Sequence, residues 1–249
     1  MLLGWTRAIL MQLAHPLIAA GVYDHSAFRA NPRTAVARLR HTVGAMLALT
    51  FGDEQAQRRA YDGIRTIHRR VHGHLPHAVG RFAAGTPYSA EDPDLVLWVH
   101  VTLMESIPLV YERLIGPLSL AERDAYCADA ARVPLELGAR DSEVPRSWAG
   151  VRRHLDTTLA SGAIAVGPQA LELAHALLAP RFPVVAAPAA WVNRLFSVGD
   201  LPPVLREQYG LSWTNRDDGA LGRMSTLLRT LRPGLPGVVA LWPQARRSA

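Results

Sequence analysis

Apolar residues recur at three- and four-residue steps along almost the whole chain, and no stretch alternates strictly between apolar and polar. Such a sequence can bury its hydrophobic surface only by packing helix on helix. The pattern predicts helices over Leu2–Gly21, Pro32–Phe51, Asp53–His72, Pro93–Leu114, Ser119–Leu137, Pro145–Ala160, Pro168–Leu178, Ala187–Ser197, Pro202–Tyr209 and Asp217–Leu231, and no strand. Several starts carry their own signals. Asn31-Pro32 puts proline in a first turn, Asp53-Glu54 puts acids there, and Ser119-Leu-Ala-Glu122 reads as a capping box. The breaks at 85–93 and 180–188 are short and flanked by helix, so the expectation is one all-α domain over residues 1–249. With 249 residues and 49% hydrophobic content, a large core is affordable.

The formal net charge of +6 comes entirely from arginine, because no lysine occurs. The arginines are scattered through amphipathic segments instead of forming a basic run with interleaved aromatics, which argues against a nucleic-acid partner. They suit carboxylate pairing on helix faces, or holding the propionates of a cofactor. The single cysteine, Cys127, leaves no internal disulfide and no cysteine-based metal cage. Arg7, Gln12 and His15-Pro16 interrupt the apolar N-terminal run before it makes a usable signal sequence, and no other segment offers about 20 uninterrupted apolar residues. A cytoplasmic protein without a membrane span, at most peripheral to a membrane, is the expectation.

The histidines carry what chemistry there is. The run from Gln12 to Phe28 sets His15 and His25, Pro16 and Gly21 into an apolar helical pattern, where a buried imidazole needs a partner for each ring nitrogen and an internal proline frees a carbonyl. His68 and His72 stand four apart and hence on one helical face, with His74 and His77 behind them. Arg69 occupies the place where a zinc-peptidase helix needs a glutamate base. A haem reading needs less: one imidazole, an apolar slot (Ile64, Ile67, Val71, Met46, Leu47) and cations such as Arg38, Arg40, Arg65 and Arg69. His100, deep in an apolar helix, is expected to be buried, orienting a ligand as a partner of Glu105 or His15 or satisfied by a backbone carbonyl. Glu105 reads as a general base or as the partner of an arginine.

The segments Gln12–Phe28, Arg38-Leu-Arg-His-Thr42, Phe51-Gly-Asp53, Ile64–Gly73 and Leu97–Ser106, in that order and spacing, resemble the MpaB-type oxygenases and latex clearing proteins (rubber oxygenases). The resemblance is dense from Gln12 to about Pro145. It implies a globin-like helical core with extra helices, a haem b cofactor, and oxygenase action with dioxygen on a small hydrophobic, isoprenoid-like or other alkene substrate. Arg65-Thr-Ile-His68 matches the element that supplies the proximal iron ligand, which makes His68 the metal ligand; Arg65 and Arg69 as cations and His15 and His100 as an orienting pair are the other residues expected at the cofactor. Arg38-Leu-Arg-His41-Thr42 matches the distal element and makes Arg38, His41 and Thr42 the catalytic candidates, with His41 standing where the rubber-cleaving enzymes have lysine. Those relatives are secreted, so the missing signal argues against bulk rubber as substrate. Two other readings stay open: a non-catalytic helical carrier of a hydrophobic ligand or membrane-surface module, and a histidine-ligated non-haem metal enzyme drawing a carboxylate from Asp24, Asp62 or Glu105. Oligomeric state has no signal in the sequence.

Overall fold

Where the sequence places a capping residue, the computed structural model starts a helix; it describes residues 2–25, 32–178 and 187–234. Asp53 accepts from the Ala56 amide (2.7 Å) and opens one helix. Ser119 and Glu122 satisfy each other's amides in a full capping box. The elements run α1 (Leu2–Leu13), α2 (Pro16–His25), α3 (Pro32–Phe51), α4 (Glu54–His68), β1 (His72–His74), β2 (Pro87–Ser89), α5 (Pro93–Leu114), α6 (Leu120–Ala130) and α7 (Arg132–Glu136). They continue with α8 (Trp148–Ala160), α9 (Pro168–Leu178), α10 (Ala187–Gly199), α11 (Pro203–Gln208) and α12 (Asn215–Leu231), followed by a 3-10 turn at Arg232–Gly234. The fold is all-α apart from one small hairpin. Most of the break predicted at 180–188 lies outside the described residues.

Three expectations need correction. The first predicted helix is two: proline has no amide to give and clashes with the preceding turn, so α1 ends at Leu13 and Pro16 begins α2. The Ala14 carbonyl exposed by this break accepts from the Ala165 amide (2.9 Å). The helix expected to reach His72 stops at His68, and His72 lies in β1, paired antiparallel with β2 in the register His72↔Ser89, Gly73↔Tyr88, His74↔Pro87. His68 and His72 therefore do not share a helical face. Three-residue strands are too short to show a period-two pattern. The segment from Ser119 to Leu137 is likewise two helices, α6 and α7.

α5 is the axis of the molecule. α1, α8 and α12 pack along it, and its buried residues include Trp98, Val101, Thr102 and Met104. α1 approaches so closely that a Cβ on Gly4 would stand 2.9 Å from Val110 Cγ2 and 3.1 Å from the Ser106 carbonyl. By length and hydropathy α5 alone among the described helices matches a membrane span, but 61% of that window is buried inside the protein. One large core joins α1, α5, α8 and α9 to the α10–α11 turn, with the free thiol of Cys127 inside it. A smaller cluster of Leu17, Ala20, Leu75, Tyr88 and Leu95 seats the hairpin, and a third under α12 holds Leu195, Phe196 and Leu221.

The α3–α4 hairpin is attached differently. α3 packs chiefly on α4, and α4 buries no residue completely. Tyr61 and Ile64 rest on the main core. Arg65 adds a polar tie, donating through Nε to the Glu136 carbonyl (3.1 Å) and through Nη2 to the Glu136 carboxylate (3.1 Å).

Candidate functional site

The first turns of α5 gather imidazoles. Asp92 caps the helix and Pro93 opens it, leaving Glu91, Asp92 and Asp94 at its start. Four histidines from four elements stand within electrostatic reach of these acids or of one another. His15 comes from the α1–α2 break and senses Asp92; His68, the last residue of α4, senses Glu91. His100 of α5 senses His68, and His154 of α8 senses Glu143 and Asp94.

Burial dominates their chemistry. Desolvation pushes His15 and His100 down to about 4, with Arg81 adding to the effect at His15 and His68 at His100. The same cause lowers His68 and His154. All four are neutral at pH 7, the form in which an imidazole offers a lone pair.

Tautomers follow from the partners. His100 Nδ1 lies 2.8 Å from the Val96 carbonyl, which only accepts, so Nδ1 carries the proton and Nε2 is left as an acceptor. Thus His100 uses a backbone carbonyl on one nitrogen and senses His68, not Glu105. His15 is 6% exposed, its ring tilted on Phe82 at 5.3 Å, and its Nδ1 has no hydrogen-bond partner. A buried polar atom left unpaired costs about 1–3 kcal/mol, and native proteins keep few of them. The ring of half-buried His68 has no hydrogen bond among the described residues; its backbone carbonyl accepts from the Val71 amide (2.9 Å) as the chain turns toward β1.

The other candidates from the sequence fall as follows. Arg65 is committed to Glu136, with Asp62 at 3.5 Å. Arg69 is exposed and donates to Thr66 Oγ1 (3.1 Å). Thr42 is exposed on α3. The side chains of Arg38 and His41 lie outside the described residues, but their helix packs on α4, so the Arg38–Thr42 and Arg65–His68 elements belong to one hairpin. Glu105 sits between Arg7 and Arg152, paired with both, which removes it as a free base. His74 and His77 are exposed, and His25 Nε2 faces the His72 carbonyl at 3.0 Å. Asp24 accepts from the Tyr88 hydroxyl (2.6 Å), an arrangement that holds the β-hairpin to α2. His154 has little to mark it in the sequence beyond an imidazole beside the apolar Leu155 of an amphipathic helix.

Among the described residues, no three or more His, Cys, Asp or Glu side chains are grouped to hold a metal ion. The donor set consists of single imidazoles on separate elements, which suits a group that brings its own equatorial ligands.

A helical body with neutral histidines near the start of one buried helix makes this an all-α protein whose candidate site is built on imidazoles. The chain belongs to the family described as ER-bound oxygenase mpaB/B'/rubber oxygenase, catalytic domain, which matches residues 1–232. It is 32% identical over 128 residues to the uncharacterized proteins Mb2261 of Mycobacterium bovis and Rv2237 of Mycobacterium tuberculosis, an alignment covering 50% of this chain and 47% of each relative. The chain thus spans about half the length of the curated relatives it matches. No solved structure matches it significantly. The family is described as a catalytic domain of oxygenases, and residues 1–232 of this chain match it.

Proposed function

We propose that the protein is a haem b-dependent oxygenase acting on a small hydrophobic, isoprenoid-like or other alkene substrate. The observation that carries this reading is His68: a neutral imidazole at the end of α4, half-buried, without a hydrogen bond among the described residues, and within electrostatic reach of His100. In an oxygenase family, a lone imidazole of this kind would suit the ligation of a haem, and no three-residue cage is needed beside it. The globin-like wrapping of helices around the site is part of the proposal.

When bound, haem supplies the dioxygen chemistry; the chain supplies ligation, orientation and a dry wall. His68 would hold the iron. Its neutrality at pH 7 keeps the lone pair available, and the Nε2 acceptor of His100 is available to orient a ring N–H nearby. Arg38, His41 and Thr42 of α3 would be the catalytic residues, with His41 supplying an imidazole where the rubber-cleaving relatives have a lysine. Arg65 and Arg69, near His68 in sequence, would supply cations for the acid groups of the haem, with Arg65 then sharing its fork with Glu136. His15, whose buried Nδ1 has no partner among the described residues, would be a further polar contact for the cofactor.

Hemin titration tests the reading. The purified protein, as isolated or after adding hemin, is expected to show a Soret band with one haem per chain. His68→Ala loses it, and His72→Ala, on β1, keeps it. A protein that stays colourless with hemin, or whose spectrum depends on His72 and not on His68, overturns the assignment.

A further inference from the structure

On another side of α5 the molecule holds a second recess. Glu105 follows His100 by five residues, about 140° around the helix and about 7.5 Å along it, so the two side chains serve different faces. Glu105 and Leu109 meet Arg7 and Met11 of α1, Arg152, Leu155, Asp156 and Leu159 of α8 and the α10–α11 turn around a cleft of about 380 Å³. That size falls within the few hundred Å³ usual for a small-molecule site.

The floor of the cleft is charged and buried. Arg7 exposes 2% of its side chain and Glu105 1%. The Arg7 guanidinium is held rigidly: Nε donates to the Asp200 carbonyl (2.7 Å), and Nη1 donates to Ser106 Oγ (2.5 Å) and pairs with Glu105. No described residue accepts a hydrogen bond from its Nη2. Arg152 reaches the same carboxylate through Nη1, while its Nη2 lies 3.7 Å from Asp156, beyond hydrogen-bonding distance.

The open donors point to the ligand's head group. Glu105 can neutralise one of the two guanidinium groups that flank it. The Asp200 carboxylate is taken by Arg113, which grips it with both Nε and Nη2. Asp156 is 67% exposed and its contact with Arg152 is loose, so water screens most of that pair's energy. Open N–H donors remain at the polar end, where the guanidinium groups of Arg7, Arg113 and Arg152 meet the carboxylates of Glu105, Asp156 and Asp200, while Met11, Leu109, Leu155, Leu159 and Leu201 contribute apolar wall. A buried ion pair is no more stabilising than well-packed apolar side chains of the same volume. Packing alone therefore gives no reason to set one at the bottom of an open recess.

We propose that this cleft binds an aliphatic monocarboxylate, its head on the free N–H groups of Arg7 and Arg152 and its chain along the leucines. The inference does not rest on the haem reading, since none of its residues belongs to the imidazole site.

Isothermal titration calorimetry of the full chain with octanoate, octan-1-ol and octylammonium tests it. Octanoate is expected to bind saturably, at least about tenfold tighter than the alcohol or the amine, the worth of one charge-assisted hydrogen bond. Arg152→Gln should remove that preference, Arg152→Lys should keep most of it, and Leu159→Trp should weaken octanoate by filling the wall. Arg153→Gln, on the same helix but exposed, should change nothing. Circular dichroism of each variant verifies the fold, and the half-exposed position of Arg152 lets the Lys and Gln variants report on binding. Absence of saturable octanoate binding, equal binding of octan-1-ol, or indifference to Arg152→Gln overturns the proposal. Displacement of octanoate by hemin also overturns it, by making the cleft part of the imidazole site; failure to bind hemin, with octanoate still bound, counts against the haem reading alone.

Discussion

The α3–α4 hairpin and the α1–α5–α8 bundle are both built from amphipathic helices, yet they are held in opposite ways. α4 rests on the body through half-buried Tyr61 and Ile64 and the partly exposed ties of Arg65. The bundle closes over Trp98, Val101, Leu155 and even an arginine–glutamate pair. The difference teaches where each part of the molecule keeps its stability. The bundle keeps it in desolvated contacts that fail together, whereas the hairpin carrying His68 keeps it in a few contacts that can be lost singly.

The sharpest way to break the comparison is at Glu105. Glu105→Gln leaves Arg7 buried without its counter-charge, and urea denaturation should show a loss of about 3–5 kcal/mol. A loss below about 1 kcal/mol would mean that water enters the cleft and screens Arg7, which would place the bundle nearer the hairpin in character.

Acid separates the regions next. An unfolded chain takes up a proton on His15 and His100 near pH 6.5, but the folded chain resists until about pH 4. Over that window the unfolded state binds more protons, so these rings stabilise the fold fully above pH 6.5 and lose that contribution as the pH falls. Between pH 7 and pH 5 the loss is on the order of 2 kcal/mol per ring. Denaturation midpoints at the two pH values measure it, and His15→Leu should flatten the dependence by about one ring's share. An unchanged slope in that variant would show that His15 protonates in the folded state.

The smallest effect belongs to the hairpin. Arg65→Ala removes a half-exposed tie, and global stability should change by less than about 1 kcal/mol. Amide exchange along α4 should nevertheless quicken while α5 stays protected. Equal acceleration in both helices would show that hairpin and bundle open as one unit.

Much of this architecture was legible in the sequence. α3, α5 and α9 begin and end where expected because each starts on a proline and carries apolar spacing to its last turn. The end of α4 departs from the sequence pattern: Val71 lies outside the helix and its carbonyl accepts from the Ala90 amide, a contact that no local pattern announces. The site was legible as residue types, since His15, His68 and His100 stand out in apolar context, but not as an arrangement. The partners of Glu105 come from α1 and α8, and His154 reaches the start of α5 only through the packing of α8. Such meetings are tertiary, and periodicity is silent on them.

The first helix has an unusual dependence on the last third of the chain. Thr6 bonds Asn193, Arg7 bonds the Asp200 carbonyl, and the Leu10 carbonyl accepts from the Tyr209 hydroxyl, sequence separations of 187, 193 and 199 residues. During synthesis α1 leaves the ribosome long before any of these partners exists. At about 5–20 residues per second, the side of α1 that meets the α10–α11 turn waits on the order of ten seconds or more uncovered, well after α5 has been made. Closure of α1 onto the finished α10–α11 turn is then a late, long-loop event in folding. Until it happens, a solvent-facing stripe of leucine and methionine is open to chaperones or to a neighbouring nascent chain.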